Sequence, residues 1–435
     1  MKLILVESSV KAKVVNDHLS RINMDDSYHC SFTSGRIFDF ALNDEQSWRV
    51  RNKEVVLYLE NAIAKSDSVI ALTDADDQGE YIAYQIAILA DKHNKSVVKG
   101  DLVELTEIGV KNALNNTREL DIKLVQKTHS ERLVHLKIGQ RGINKGYGPA
   151  SIQELMAAEY LSTSETLEVT QDVVNGTPRS YLSSGQSTSQ VVEVPINPPS
   201  TFDLYTNALI SPSTDLLALE TEMQTLYEHG LLSYTRTPAN EWLPEAIDMV
   251  SSLIDSNGYI ADKTHLASHT SVNVPHSAIY IVSPHCIGLR LRSVELINEF
   301  TLASAGVNDS RAFRSNIPYP ILNIHQDIAG GRFRAPPQLQ TLIALREMKL
   351  YKPSTSAKIC HKLAEKFFVD DSLSMRNIQL GKAFTDRELP VLKHYVSNRL
   401  NPLNELINSE ISQSNLEVNH SIANKAFEEL THRGI

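Results

Sequence analysis

The chain has 435 residues, 42% of them hydrophobic, and a net charge of −10, which leaves room for about two to four domains with their own cores. No apolar run is long enough to span a bilayer. The opening Met-Lys-Leu-Ile-Leu-Val is too short for a signal-peptide core and runs straight into Glu7, so neither a membrane protein nor a secreted one is expected. Cys30, Cys286 and Cys360 lie far apart with no Cys-x-x-Cys pair; a disulfide framework and a structural zinc are not expected, and a reducing cytoplasm is.

The N-terminus reads as a strand, then Glu7, then a helix with Ser9 as a plausible N-cap and Lys11 on its first turn. Val69-Ile70-Ala71-Leu72 reads as a buried parallel strand, followed by Thr73-Asp74-Ala75-Asp76-Asp77-Gln78-Gly79-Glu80 and an amphipathic helix from Tyr81 to about residue 92. Acidic side chains thus crowd the carboxyl end of a strand, where open α/β sheets place their sites. Carboxylates so close repel one another unless a cation sits among them, and hard oxygen ligands suit Mg²⁺. An EF-hand is not expected, because its loop needs an acid at the twelfth position, here Gln85, and the preceding element reads as a strand and not a helix. If both strands share one sheet, Glu7, Lys11, Asp74 and Asp76 face one crevice, the combination that phosphoryl transfer uses.

The charge is patchy. Residues 111–145 carry eight Lys/Arg against three acids, including Lys123, Lys127, Arg132, Lys137, Arg141 and Lys145, while residues 203–262 carry ten acids and one base, Arg236. Such a basic stretch can neutralise phosphates locally in spite of the overall charge. Residues 215–229 have helical spacing closed by Gly230, followed by Leu231-Leu232-Ser233-Tyr234-Thr235-Arg236-Thr237. Strands are expected at 167–170 and 191–194, strand-like alternation at 288–292, and a loop tip in the Ser-rich stretch 180–189.

These segments resemble, in order, the type IA DNA topoisomerases. Leu5-Val6-Glu7-Ser8-Ser9-Val10-Lys11-Ala12-Lys13 is close to their opening motif, and Leu226 through Thr237 resembles their tyrosine motif nearly residue by residue. Leu105-Thr106-Glu107-Ile108, Arg118 through Val125, Pro198 through Phe202, Pro275-His276-Ser277-Ala278-Ile279 and Lys352-Pro353-Ser354-Thr355-Ser356-Ala357 resemble further family segments. The resemblance implies a toprim α/β domain, a β-rich arch and helical domains closed into a toroid. It implies Tyr234 as nucleophile, with Glu7, Lys11, Arg236 and His276 as catalytic partners. Mg²⁺ would be held by Asp74, Asp76, Glu80 and Glu7. Nucleic acid would be bound through Arg132, Lys137, Arg141, Lys145, Gln153, Ser354 and Thr355. The chain departs from the family at Gln78, where an acid is usual, at Ser151, where an Arg is usual, at Ser277, where a Glu is usual, and in ending without zinc ribbons.

The expected map is a toprim domain at 1–138, a helical domain at 139–165 plus 334–435, a β-rich arch at 166–212 plus 283–333, and a tyrosine-bearing domain at 213–282. The expected activity is ATP-independent cleavage, strand passage and resealing of single-stranded or underwound DNA by a cytoplasmic, nucleoid-associated monomer, with RNA and an affinity-supplying partner protein as further partners. A toprim nuclease or primase, which would not need Tyr234, and a non-catalytic DNA-binding relative are the alternatives.

Overall fold

A computed structural model describes residues 1–22, 27–41, 44–144, 151–184, 190–211, 213–272, 276–283, 286–287, 289–323, 331–369 and 374–375. The chain divides into two compact units. The first comprises residues 1–151, 228–230 and 384–435, and the second residues 152–227 and 231–383.

The first unit is built on a four-stranded parallel sheet. In chain order its elements are β1 (Lys2–Val6), α1 (Ser9–Arg21), β2 (Tyr28–Phe32), β3 (Phe38–Ala41), β4 (Asp44–Val50), α2 (Lys53–Lys65), β5 (Ser68–Asp74), α3 (Asp77–Asp91), β6 (Val97–Leu102), α4 (Glu107–Asn115) and α5 (Ile122–Asn144). The sheet order is β2-β1-β5-β6, and β3 and β4 form a separate antiparallel pair. Leu3 to Val6 and Val69 to Asp74 are buried without alternation, as expected of parallel strands covered on both faces. Leu3, Leu5, Val69 and Ala71 pack with Leu59 and Ile63 of α2 and with Ile82, Ile86 and Leu89 of α3. The cap of α1 is Ser8 rather than Ser9: its hydroxyl accepts the Lys11 N–H at 3.2 Å. α3 starts at Asp77, before the expected Tyr81, because Asp76 caps it through the Gly79 N–H at 2.7 Å. A Cβ on Gly79 would lie 2.0 Å from the Asp74 carbonyl oxygen, so only glycine lets the helix begin this close to the strand end.

Among the described residues, the second unit mixes helices with two three-stranded antiparallel sheets and one two-stranded pair. Its elements are α6 (Ile152–Thr163), β7 (Leu167–Val174), β8 (Thr177–Ser184), β9 (Val192–Val194), α7 (Thr201–Ala208), α8 (Leu216–Glu228, with Glu228 assigned to the first unit), a 3₁₀ turn at Pro244–Ala246, α9 (Ile247–Ser256), α10 (Lys263–Ser268), α11 (Arg292–Ser304), β10 (Ala312–Arg314), β11 (Ile321–Leu322), β12 (Gly331–Arg334), α12 (Pro337–Glu347), α13 (Pro353–Phe367), and the paired β13 (Phe368–Val369) and β14 (Ser374–Met375). The sheets run β12-β7-β8 and β11-β10-β9. The Ser-rich stretch is a strand up to Ser184, and the rest of it lies outside the described residues. Strand pairing overrode its composition: Tyr181 and Leu182 pair with Thr170 and Val169 of β7. No strand forms at 289–291; α11 begins at Arg292 instead. Its N-terminus is set by Glu222 of α8, which accepts the Ser293 N–H at 2.9 Å. The expected arch segment 283–333 therefore contains a 13-residue helix as well as β10 to β12. Residues 384–435, expected as helical, lie outside the described residues.

Candidate active site

β1 and β5 are neighbours in the sheet, with Leu5 opposite Ala71, so Glu7 and Asp74 emerge at adjacent strand ends. The Asp74 N–H donates to Glu7 Oε1 at 2.7 Å. Lys11, one turn into α1, sends its ammonium between the two carboxylates: Nζ lies 3.0 Å from Glu7 Oε2 and pairs with Asp74 Oδ1. Burial and the Asp74 charge push the Glu7 carboxyl above its ordinary range, against Lys11 and the Asp74 N–H. Burial pulls the other way on Lys11, but Asp74 and Glu7 outweigh it and its pKa is raised. The cluster is a buried ammonium set between two acids, and the Glu7 carboxyl is raised above its ordinary range.

Asp76 belongs to the same strand-to-helix turn, with one carboxylate oxygen on the α3 cap. Glu80 is engaged elsewhere. Arg118 donates to both of its oxygens, at 3.1 and 2.7 Å, and the Asp121 N–H to Oε1 at 2.6 Å. Lys99 lies 3.7 Å from Glu80 Oε2, pairs with Asp101, and donates to the Asp74 carbonyl oxygen at 3.2 Å. Burial raises the Asp101 carboxyl, but Lys99 and Arg118 outweigh it and hold it below its usual range. Lys99 and Asp101 were not anticipated as site residues. Two charges at alternate positions of an otherwise apolar strand place both side chains on one face, and that was the available signal. Among the described residues no group of three or more His, Cys, Asp or Glu is arranged to hold a metal ion.

A second cluster forms in the second unit. After α8, Gly230 takes φ +71°, and the chain then runs as a short bridge: Leu232 pairs with Ile281, and the Ser233 N–H donates to the Tyr280 carbonyl at 3.0 Å. Tyr234 follows, 2% exposed. Its ring lies 5.0 Å from the His276 ring and 5.6 Å, edge-on, from that of Tyr227. Thr201, at the start of α7, ties down the next turn: its hydroxyl lies 2.7 Å from the Thr235 carbonyl oxygen and accepts the Thr237 N–H at 2.9 Å. Ser277, where the related motif has Glu, accepts the Leu243 N–H at 3.2 Å. Arg236 is half-buried, its Nη2 3.8 Å from Glu220 Oε1.

The residues expected to bind nucleic acid are dispersed. Arg132 pairs with Asp39 at 2.9 Å and lies over the Tyr81 ring. Gln153 is buried and donates to the Leu350 carbonyl at 2.9 Å. Ser354 and Thr355 occupy the first turn of α13, and Lys137 lies on α5. Arg141 is on α5 by backbone alone, and Lys145 lies outside the described residues.

A strand-end acid and lysine cluster in one unit and a buried Tyr-x-Arg turn in the other are set in a multidomain α/β fold, and that fold is the one of type IA topoisomerases. The solved full-length topoisomerase I of Thermotoga maritima superimposes with a TM-score of 0.68 over 99% of this chain and 89% of that one, at 15% identity. In sequence, the chain is 28% identical to DNA topoisomerase 1 of Campylobacter jejuni over 167 residues, covering 33% of this chain and 23% of the relative. It is 25% identical to DNA topoisomerase 1 of Aquifex aeolicus over 149 residues, covering 32% and 27%. The chain therefore matches about a quarter of the length of these curated relatives. No protein-family profile matches it. Among the described residues no helix is long and apolar enough to cross a membrane.

Proposed function

We propose that the chain is a type IA DNA topoisomerase that cleaves a single strand through Tyr234. The observation that carries the reading is Tyr234 in a pinned turn beside His276 and two residues from Arg236, in a chain that also holds the Glu7–Lys11–Asp74 cluster. In this mechanism the Tyr234 oxygen, its proton passing to water, attacks a backbone phosphorus, the bond to the 3′ oxygen breaks and that oxygen takes up a proton, and a 5′-phosphotyrosine forms; resealing reverses the exchange. The ester bond energy is conserved in the covalent link, so no nucleotide cofactor is required. Glu7 is the acid that gives the leaving oxygen its proton, in keeping with a carboxyl raised by burial and by Asp74. Lys11 and Arg236 offset the charge that develops on the phosphorane, Arg236 through paired N–H donors. His276 contacts the neighbouring backbone. Because Tyr234 is nearly inaccessible, it must be uncovered before a strand reaches it.

The residues present suit Mg²⁺ as a two-carboxylate site. Asp74 and Asp76, on the strand-to-helix turn beside Glu7, would hold the ion beside water and substrate oxygens, a common Mg²⁺ ligand set. When bound, it supplies neutralisation of the phosphate charge during resealing. The substrate is single-stranded or underwound DNA. The test is Tyr234→Phe: plasmid relaxation and the covalent adduct are expected to vanish while single-strand binding stays within about twofold. Relaxation by the variant would refute the assignment.

A further inference from the structure

The buried stripe of α8 is Leu216, Leu219, Met223, Leu226 and Tyr227, and it contains one acid, Glu220. A carboxylate on a core-facing stripe is costly unless cations face it. Two do. Arg236 approaches from the tyrosine turn at 3.8 Å, and Lys358 of α13 adds a favourable charge. Among the described residues, Tyr205 of α7 is a further titratable neighbour, its hydroxyl raised by burial and by Glu220. α13 also reaches the start of α8, where His361 Nδ1 lies 3.7 Å from Asp215 Oδ1. Glu220 Oε1 is buried and has no hydrogen-bond partner. At 3.8 Å the Arg236 contact is an ion pair and not a hydrogen bond, so it orients the guanidinium through charge and not through the paired donors that recognise a phosphate.

We propose that Glu220 is a positioning residue: its buried carboxylate holds the Arg236 guanidinium beside Tyr234, so that the group meets the phosphate of the bound strand already oriented. The inference rests on the reading of Tyr234 and Arg236 above. It explains an acid where the helix pattern calls for an apolar residue. It also makes the arrangement sensitive to pH. Burial pushes the Glu220 carboxyl above its ordinary range, against Arg236 and Lys358. As pH falls through that raised value the carboxylate is lost, and Arg236 loses its anchor.

The test is a cycle of Glu220→Gln and Arg236→Ala, read by single-turnover adduct formation on an oligonucleotide and by its binding anisotropy. Glu220→Gln keeps the shape and removes the charge. Adduct formation should slow about ten- to a hundredfold, the usual cost of misplacing a catalytic group. The acidic limb of the wild-type rate profile should flatten in Glu220→Gln, a change that a purely structural role would not produce. In the Arg236→Ala background, Glu220→Gln should have no further effect. Glu220→Met, which matches the stripe, should fold at least as stably as wild type and show the same loss, which separates positioning from folding. A wild-type rate in Glu220→Gln, or losses that multiply in the double variant, would overturn the proposal. If Tyr234→Phe still forms adduct, the tyrosine assignment fails, while the anisotropy cycle still decides whether Glu220 acts through Arg236.

Discussion

Lys11→Met is the most direct perturbation of the acid cluster. It keeps the length of the side chain and removes the ammonium that Glu7 and Asp74 share. Lys11 is almost fully buried, whereas the side chains of Glu7 and Asp74 are 12% and 10% exposed, so some solvent reaches the orphaned pair. The expected destabilisation of the first unit at neutral pH is therefore near the low end for breaking a buried ion pair, about 3 kcal/mol. The pH dependence carries the sign. Without Lys11, burial and Asp74 raise the Glu7 carboxyl unopposed by their main counterweight. A carboxyl whose folded pKa exceeds its unfolded one binds its proton more tightly in the native state. Its contribution is fully present below the unfolded pKa and is lost as pH rises through the folded value, at up to about 1.4 kcal/mol per pH unit. The deficit of Lys11→Met should thus be larger at about pH 8 than at about pH 5, and Glu7→Gln in the same background should flatten the difference. The chain has two tryptophans. Trp48 sits against Phe38, Phe40, Tyr81 and His129 in the first unit. Urea titration followed by Trp48 fluorescence in a Trp242→Phe background therefore reports this unit. A loss below about 1 kcal/mol, or one equal at both pH values, would refute the picture of a cation clamped by two coupled acids.

Asp74→Ala with Asp76→Ala should leave cleavage measurable but slow resealing, so that adduct accumulates on an oligonucleotide; wild-type relaxation at low Mg²⁺ would place the metal elsewhere. Gln78→Glu should lower the Mg²⁺ concentration for half-maximal relaxation, since a further carboxylate adds charge to a hard-cation site. It should also add about 0.3–1 kcal/mol to the α3 N-terminus; an unchanged Mg²⁺ requirement would show that residue 78 points away from the ion. Single-strand affinity should fall steeply with salt, by a log–log slope of about −0.7 per phosphate neutralised, or about −3 for four contacts. Neutralising Lys137 and Arg141 together should flatten that slope by roughly one, and a wild-type slope near zero in fluorescence anisotropy would remove α5 from the binding surface.

The parallel sheet and the crowding at its strand ends were legible because they follow from local rules. Unbroken apolar runs mark doubly covered strands, and acids immediately after them land at the sheet's carboxyl edge. The helix before Gly230 was legible for the same reason, with periodicity and a glycine stop. What was not legible depended on partners distant in sequence. Ser180 to Ser184 read as a loop by composition but form a strand because β7 offers a ladder. Residues 288–292 alternate like a strand, yet Glu222, seventy-one residues before Ser293, accepts the N–H that starts α11. The partners of Arg132 and Gln153, Asp39 and the Leu350 carbonyl, are likewise distant in sequence.

The same distinction separates Asp76 and Glu80. Asp76 and Glu80 are indistinguishable as candidate metal ligands in the sequence, since both belong to one acidic run. Their fates differ because a helix N-terminus takes the first and a remote arginine takes the second. Arg118 is 38 residues downstream of Glu80, and with Lys99 and the Asp121 N–H it turns that carboxylate into a tie from α3 to the segment that leads into α5. Lys99 also reaches the Asp74 carbonyl. The tie is therefore continuous with the strand end that carries Asp74 and, through the Asp74 N–H, with Glu7. Glu80 is thus part of the frame that sets the backbone around Asp74.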